Sequence, residues 1–142
     1  MHVLNIIWVF DPNASTVLMC KRYKEPYLGL YNLLGGKVES GEDGLAAAYR
    51  ELEEESSITS EDLIQGLYHL MDFVYYGSNK YPNGVRIEVY VGKLHSAIVV
   101  SGDEKELLWV DVKENFFDAA RFAGEGNIGH IYEQIKLCSE LM

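Results

Sequence analysis

The chain has few cysteines. Cys20 and Cys138 are the only two in 142 residues, too few for a disulfide framework. Cys20 falls in an apolar strand pattern and Cys138 in a helical one, so both are expected to be inert thiols in a reducing compartment, with no catalytic role. Prolines number three, and no repeat, low-complexity tract or linker divides the sequence, so one domain spanning 1–142 is expected. A chain of this length buries an ordinary core without disulfides or a structural metal. No apolar run is long enough to cross a bilayer. The N-terminal MHVLNIIWVF lacks the basic lead and small-residue cleavage site of a signal peptide and reads as a buried strand, which makes a cytoplasmic protein the expectation. Basic residues are also scarce: 12 Lys and Arg stand against 22 Asp and Glu, for a formal charge of −10. That balance excludes tracking a nucleic-acid backbone, which needs lysine and arginine to neutralise phosphates.

The acids are not spread evenly. Seven of the 22 lie between Glu39 and Glu55. Glu51, Glu54 and Glu55 stand at i, i+3 and i+4, so on a helix they share one face within reach of a common cation. Like charges at this spacing each destabilise an isolated helix by roughly 0.2–0.5 kcal/mol, and a hard divalent cation with oxygen ligands is the natural counter-charge. Leu45, Ala48, Tyr49 and Leu52 form an apolar stripe on a different face for core packing. Ser40 with Asp43 three residues on approximates a capping box and is expected to start the helix. Gly35 and Gly36 precede it, permitting backbone conformations closed to other residues. The stretch GKVESGEDGLAAAYRELEEESSI thus joins a glycine turn, a helix and a carboxylate cluster, as binding Mg²⁺ beside a phosphate requires. A small, metal-complexed nucleotide is compatible with the charge, since a bound cation reverses the local field.

Apolar, β-branched runs at about 3–10, 16–22, 66–76, 85–94 and 107–111 predict strands, with a short one near 32–34. Asp11-Pro12-Asn13 separates the first two, and residues 77–84 link a later pair as a long hairpin. From Asn127, the residues Ile128, Ile131, Tyr132, Ile135, Leu137 and Leu141 predict a second amphipathic helix running to the C-terminus. Two helices on a mixed sheet give an α/β/α sandwich.

The order Gly36, Glu42, Arg50, Glu51, Leu52, Glu54, Glu55, Ser57, Ile58 resembles the Nudix box of the Nudix hydrolases, over residues 36–58. One position departs: Ser57 stands where the pattern has glycine, at a helix end where a left-handed residue is expected. The resemblance implies the same α/β/α fold and hydrolysis of a diphosphate linkage with Mg²⁺, or Mn²⁺, as cofactor. It implies Gly36 (through its carbonyl), Glu51, Glu54 and Glu55 as metal ligands, and Glu42 with Arg50 as a structural pair. It also implies one of the box glutamates, or Glu104 in a later loop, as the base, with Glu104 a further metal ligand; the structural alternative for Glu104 is a solvated loop acid.

Beyond the box the chain is similar to the diphosphatases of oxidised purine nucleoside triphosphates such as 8-oxo-dGTP. That similarity implies Asn32 and Asn127 as base-reading amides, Phe73 as a stacking aromatic and Arg22 as a phosphate-side cation. Each has a structural alternative: a turn cap for Asn32, the N-cap of the last helix for Asn127, core packing for Phe73. Trp8 and Trp109 read as core, and His2, His69, His95 and His130 show no ligand spacing. Tyr75 and Tyr76, 17 and 18 residues beyond Ile58, resemble a mark of dinucleoside polyphosphate hydrolases. ADP-sugar hydrolases often carry a proline about 15 residues after the box, and none stands there. A Nudix-like module that binds nucleotide without chemistry is the alternative of another class, opposed by the presence of Arg50, Glu51, Glu54 and Glu55.

Overall fold

The computed structural model describes residues 1–101 and 106–138. In chain order these form β1 (His2–Phe10), β2 (Thr16–Lys21), β3 (Tyr31–Leu33), α1 (Gly44–Ser56), a 3₁₀ turn (Ser60–Asp62), β4 (Tyr68–Tyr75), β5 (Val85–Lys93), β6 (Glu106–Asp111) and α2 (Asn127–Lys136). The expected strands are all present, their ends displaced by one or two residues. The sheet order is β3-β2-β1-β5-β4, with β6 on the second edge of β2. β1 runs parallel to β5 in unbroken register from His2–Val85 to Phe10–Lys93, while the other pairings are antiparallel. Ile7 through Phe10 are all buried, the continuous apolar run that a central strand covered on both faces requires.

Each face carries its own core and its own helix. On one, Trp8, Phe10, Val89 and Val91 pack with Ile128, Ile131, Tyr132 and Ile135 of α2. On the other, Ile7, Val9, Leu18 and Tyr90 pack with Ala48 and Leu52 of α1 and with Ile58. The result is the expected α/β/α sandwich. α2 is shorter than its pattern suggested: it ends at Lys136, and Leu137 is 78% exposed, while Leu141 lies outside the described residues. Among the described residues no helix is long and apolar enough to cross a membrane.

Two expectations for α1 are corrected. The N-cap is Asp43, whose extended backbone and side-chain bond to the Ala46 amide at 3.1 Å start the helix, so Ser40 is not the cap. An aspartate at N-cap reaches the third amide directly and needs no partner upstream. The buried stripe is Ala47, Ala48 and Leu52, with Leu45 41% exposed. Two adjacent alanines let the helix approach the sheet closely, and a first-turn side chain tilts toward the N-terminus, away from that contact. The helix ends at Ser57, left-handed at φ 67°, as expected, with its N–H on the Glu53 carbonyl.

β1 and β2 pair only at Phe10–Val17. Toward the start of β1 and the end of β2 a cleft is lined by Leu4 and Ile6 from β1 and by Cys20 from β2.

Candidate functional site

The segment after β3 lies against β1, with the Ile7 amide on the Leu34 carbonyl and the Asn5 amide on the Gly36 carbonyl, each at 2.8 Å. The Asn5 side chain returns a bond, its Oδ1 accepting from the Gly36 amide at 2.8 Å. Gly35 has φ +147°, and a Cβ there would run into the Asn5 carbonyl. At Gly36 a Cβ would stand 2.6 Å from the Glu51 carboxylate. The two glycines therefore lay the loop backbone directly on the carboxylates of α1, and the Gly35 amide donates to Glu55 Oε2 at 2.9 Å.

Arg50 ties this region together. Its Nε and Nη2 hold the two oxygens of Glu42 at 2.8 and 3.0 Å, Nη1 reaches Glu51 at 3.0 Å and Glu54 at 3.4 Å, and Nη2 also meets the Lys37 carbonyl. The fork-shaped guanidinium suits this multidentate task. Its hydrogen bonds, with help from the Glu39 amide, hold Glu42 down at about 2. Glu51 goes the other way: burial raises its pKa and the charges of Glu55 and Glu54 add to the rise, against the opposing bond from Arg50. A carboxylate desolvated beside like charges is stabilised by a cation. The donor set fits one: Glu51, Glu54, Glu55 and the second lone pair of the Gly36 carbonyl are all hard oxygen donors.

Among the described residues, the three-donor group whose ligand atoms lie within 4.8 Å of one another is elsewhere: His69, Asp72 and Glu88, by Gly44 at the start of α1. No ligand spacing along the chain marks it. A β-bulge between His69 and Met71 lets two residues three apart share a sheet face, which a period of two would not allow. These donors already have protein partners: His69 bonds Asp72 at 2.5 Å, and Glu88 accepts from Tyr90 at 2.9 Å and lies 3.4 Å from Arg86. Glu104 lies outside the described residues. The chain before it is fastened to the end of α1, with the Ser101 amide on the Ser56 carbonyl and Ser57 Oγ within 3.1 Å of the Ser101 carbonyl.

The cleft, about 660 Å³, contains Gly35 and Gly36 together with Arg22, Asn32, Phe73 and Asn127. Arg22 Nε donates to the Pro26 carbonyl at 2.8 Å. Asn32 Oδ1 accepts from the Leu33 amide at 2.8 Å. Phe73 meets Tyr75 edge to face at 5.4 Å. Asn127 is not the N-cap of α2: that place belongs to Gly126, without a side-chain bond, and the Asn127 amide instead donates to the Tyr75 hydroxyl at 2.5 Å. Unforeseen in the cleft are Tyr27, Lys80 and Glu125. Tyr27 donates to the Glu125 carboxylate at 2.7 Å and is pushed up to about 12, first by burial and then by that partner. Both residues have positive φ, in loops whose conformation no apolar period encodes.

The chain matches the family model described as the NUDIX domain over residues 2–132. No curated protein sequence matches it. Among solved structures it is similar to an Ap4A hydrolase of C. elegans in a binary complex, at TM-score 0.74 and 18% identity, covering 99% of this chain and 98% of that one. It is also similar to the dihydroneopterin triphosphate pyrophosphohydrolase of E. coli, at TM-score 0.71 and 20% identity, covering 92% of each. A third is MutT, from a study of the Aliivibrio salmonicida and Vibrio cholerae proteins, at TM-score 0.67 and 20% identity, covering 95% and 96%. At these identities the likeness concerns the fold, whereas the family model spans nearly the whole chain and takes in the glycine turn, Arg50 and the glutamates of α1. The chain belongs to the Nudix family.

Proposed function

We propose that this Nudix pyrophosphohydrolase cleaves a diphosphate linkage of a nucleoside triphosphate in the cytoplasm, with oxidised purine nucleotides such as 8-oxo-dGTP as the preferred substrates. The observation that carries this reading is the continuity of one cleft from the Gly35–Gly36 turn to Asn32, Phe73 and Asn127. Phosphates beside the turn would lie next to the α1 carboxylates, with the base among amides and aromatics. Glu51, Glu54, Glu55 and the Gly36 carbonyl would hold Mg²⁺, or Mn²⁺. A cation there supplies positive charge to the phosphoryl oxygens and acidifies water. Arg22 neutralises phosphate charge, and the amides of Asn32 and Asn127 offer the donors and acceptors that purine edges require. A carboxylate among the box glutamates and Glu104 accepts the proton of the attacking water. Arg50 keeps Glu42 ionised and steers Glu51 and Glu54, acting through them and not on substrate.

A second reading, dinucleoside polyphosphate hydrolysis, is favoured by Tyr75 and Tyr76 in the same cleft. One experiment separates them. Nucleoside triphosphates, oxidised purine triphosphates, dinucleoside polyphosphates and ADP-ribose are assayed with Mg²⁺ for pyrophosphate, phosphate and nucleotide products. Preference for oxidised purine triphosphates supports the first reading, and preference for dinucleoside polyphosphates replaces it with the second. Tight binding without turnover of any of them would favour a non-catalytic module.

A further inference from the structure

The two cleft asparagines are held in opposite senses. Asn32 has its oxygen engaged by the Leu33 amide at 2.8 Å. Asn127 has its nitrogen engaged by the Tyr75 hydroxyl at 2.5 Å. A side-chain amide carries one acceptor oxygen and one donor NH₂. Among the described residues no other hydrogen bond reaches either group, so Asn32 retains a donor and Asn127 an acceptor for whatever enters the cleft.

The Tyr75–Asn127 contact joins two elements far apart in sequence, β4 and the first turn of α2. Tyr75 is fixed on its own side by the edge-to-face contact with Phe73. The turn before Asn127 is fixed by Tyr27, whose hydroxyl holds Glu125 at 2.7 Å. A phenol can accept or donate. Here the Tyr75 hydroxyl accepts from the Asn127 NH₂. Burial raises the Tyr75 pKa, opposed by that bond and assisted by the Glu125 charge.

We propose that Tyr75 is a positioning residue for base selection: by occupying the Asn127 amide nitrogen it presets the cleft with one donor, from Asn32, and one acceptor, from Asn127. A base whose edge combines an acceptor with an N–H donor is then preferred over one presenting acceptors alone. The inference rests on the nucleotide reading of the cleft given above. Without Tyr75 the Asn127 amide turns over freely and meets either kind of edge, and selectivity is lost.

Nucleoside monophosphates test this without requiring hydrolysis. Two pairs differ in donor content on the N7–C6 edge: 8-oxo-dGMP and dGMP, with N7–H against bare N7 beside an added 8-oxo group, and AMP and IMP, with a 6-amino against a 6-oxo group and N1 changing with it. The members with an N–H on that edge are 8-oxo-dGMP and AMP. Affinities are measured calorimetrically with Mg²⁺ for wild type, Tyr75→Phe, and Tyr75→Phe combined with Asn127→Asp, whose carboxylate accepts in either rotamer. Wild type should favour the N–H-bearing member of at least one pair by about tenfold, Tyr75→Phe should bring the two within about threefold, and the double variant should restore the preference. The Asn127 side-chain amide resonances should shift and broaden in Tyr75→Phe. A merely structural tyrosine would weaken all four ligands alike and would not be rescued by the aspartate. Should Tyr75→Phe fail to fold, Asn127→Asp alone must keep the wild-type preference. Unchanged selectivity in Tyr75→Phe, loss of the preference in Asn127→Asp, or no selectivity in wild type, overturns the proposal. Triphosphate hydrolysis is followed on the same proteins: turnover without base selectivity removes the Tyr75 role alone, and selective monophosphate binding without turnover removes the enzyme reading alone.

Discussion

The Glu51 carboxylate occupies the space that a side chain at Gly36 would need, with Cδ and Oε1 both 2.6 Å from where its Cβ would stand. The obstacle is the far end of a flexible side chain, so it can move at little cost to the fold, but moving it takes Glu51 off the candidate metal site. Gly36→Ala should therefore lower stability by no more than about 1–3 kcal/mol while weakening Mg²⁺ dependence and turnover disproportionately. Gly35→Ala is the contrast, because there a Cβ meets the Asn5 backbone at φ +147° and the loss should fall on stability. Thermal unfolding alongside Mg²⁺ titration of activity measures both. Normal metal dependence in Gly36→Ala would dissociate Glu51 from the metal.

Glu55 accepts from the Gly35 amide through Oε2, a bond that a glutamine oxygen can also make. Glu55→Gln should keep the fold and lose the charge, reducing metal affinity and turnover by roughly a hundredfold or more, beyond the 10–100-fold typical of residues that only support a ligand. Chelator should abolish wild-type activity. Full activity in chelator, or in this variant, would sink the metal-hydrolase reading.

The strands, both helices and the glycine turn were legible because each depends on local rules: period, glycine tolerance and helix-face spacing. The left-handed end of α1 was legible at Ser57 for the same reason. What escaped came from tertiary placement. Leu45 fits the stripe by spacing, yet only the sheet decides that Ala47 is the contact. Asn127 satisfies the composition rule for an N-cap, but Gly126 takes that place and Tyr75, 52 residues away in sequence, takes the side chain. His69 and Asp72 meet because of a bulge, and Tyr27 meets Glu125 across two loops. The cleft roles of Arg22, Asn32 and Phe73 came from likeness to a family. Their common cavity became visible only in the fold.

Ser57, the one departure from the box, has two opposing effects. Its left-handed backbone costs up to about 1 kcal/mol relative to glycine. Its hydroxyl, bonded to Ser101 Oγ and the Ser101 carbonyl at 3.2 and 3.1 Å, returns about 0.5–1.5 kcal/mol. Ser57→Gly should then change stability by less than about 1 kcal/mol and leave turnover nearly unaltered. A large gain in kcat would mark Ser57 as a weakened site and favour the binding module.

The Arg50–Glu42 pair predicts an acid-dependent stability. Glu42 has a folded pKa of about 2 against an ordinary 4.5. A depressed carboxylate contributes stability that is complete above its unfolded value and lost as pH falls through the folded one. The window is therefore from about 4.5 down to about 2. Glu42→Gln should be less stable than wild type at pH 7, with the difference vanishing toward pH 2. Glu51, with a raised pKa, acts with the opposite sign and gains relative stability on protonation. Urea unfolding at several pH values measures the difference, and a gap that stays constant with pH would refute the ion-pair account.

Charge and amide roles in the cleft should separate cleanly. Removing a hydrogen-bonding amide from a desolvated pocket costs about 1–3 kcal/mol, and the cost falls on the matching base more than on mismatched ones. Asn127→Ala should thus flatten the ranking of bases. It should leave the melting temperature nearly unchanged, because α2 begins at Gly126 without a side-chain cap. Arg22→Ala should weaken all triphosphates alike, since a phosphate-side cation does not see the base. It also frees the Pro26 carbonyl that Arg22 now holds at 2.8 Å, so some rise in KM will come from the loosened loop. Arg22→Lys, which keeps the charge but not the bond geometry, divides those two contributions. If Asn127→Ala lowers the melting temperature and leaves the ranking of bases intact, Asn127 is a strut between α2 and Tyr75, and the purine assignment rests on Asn32 alone.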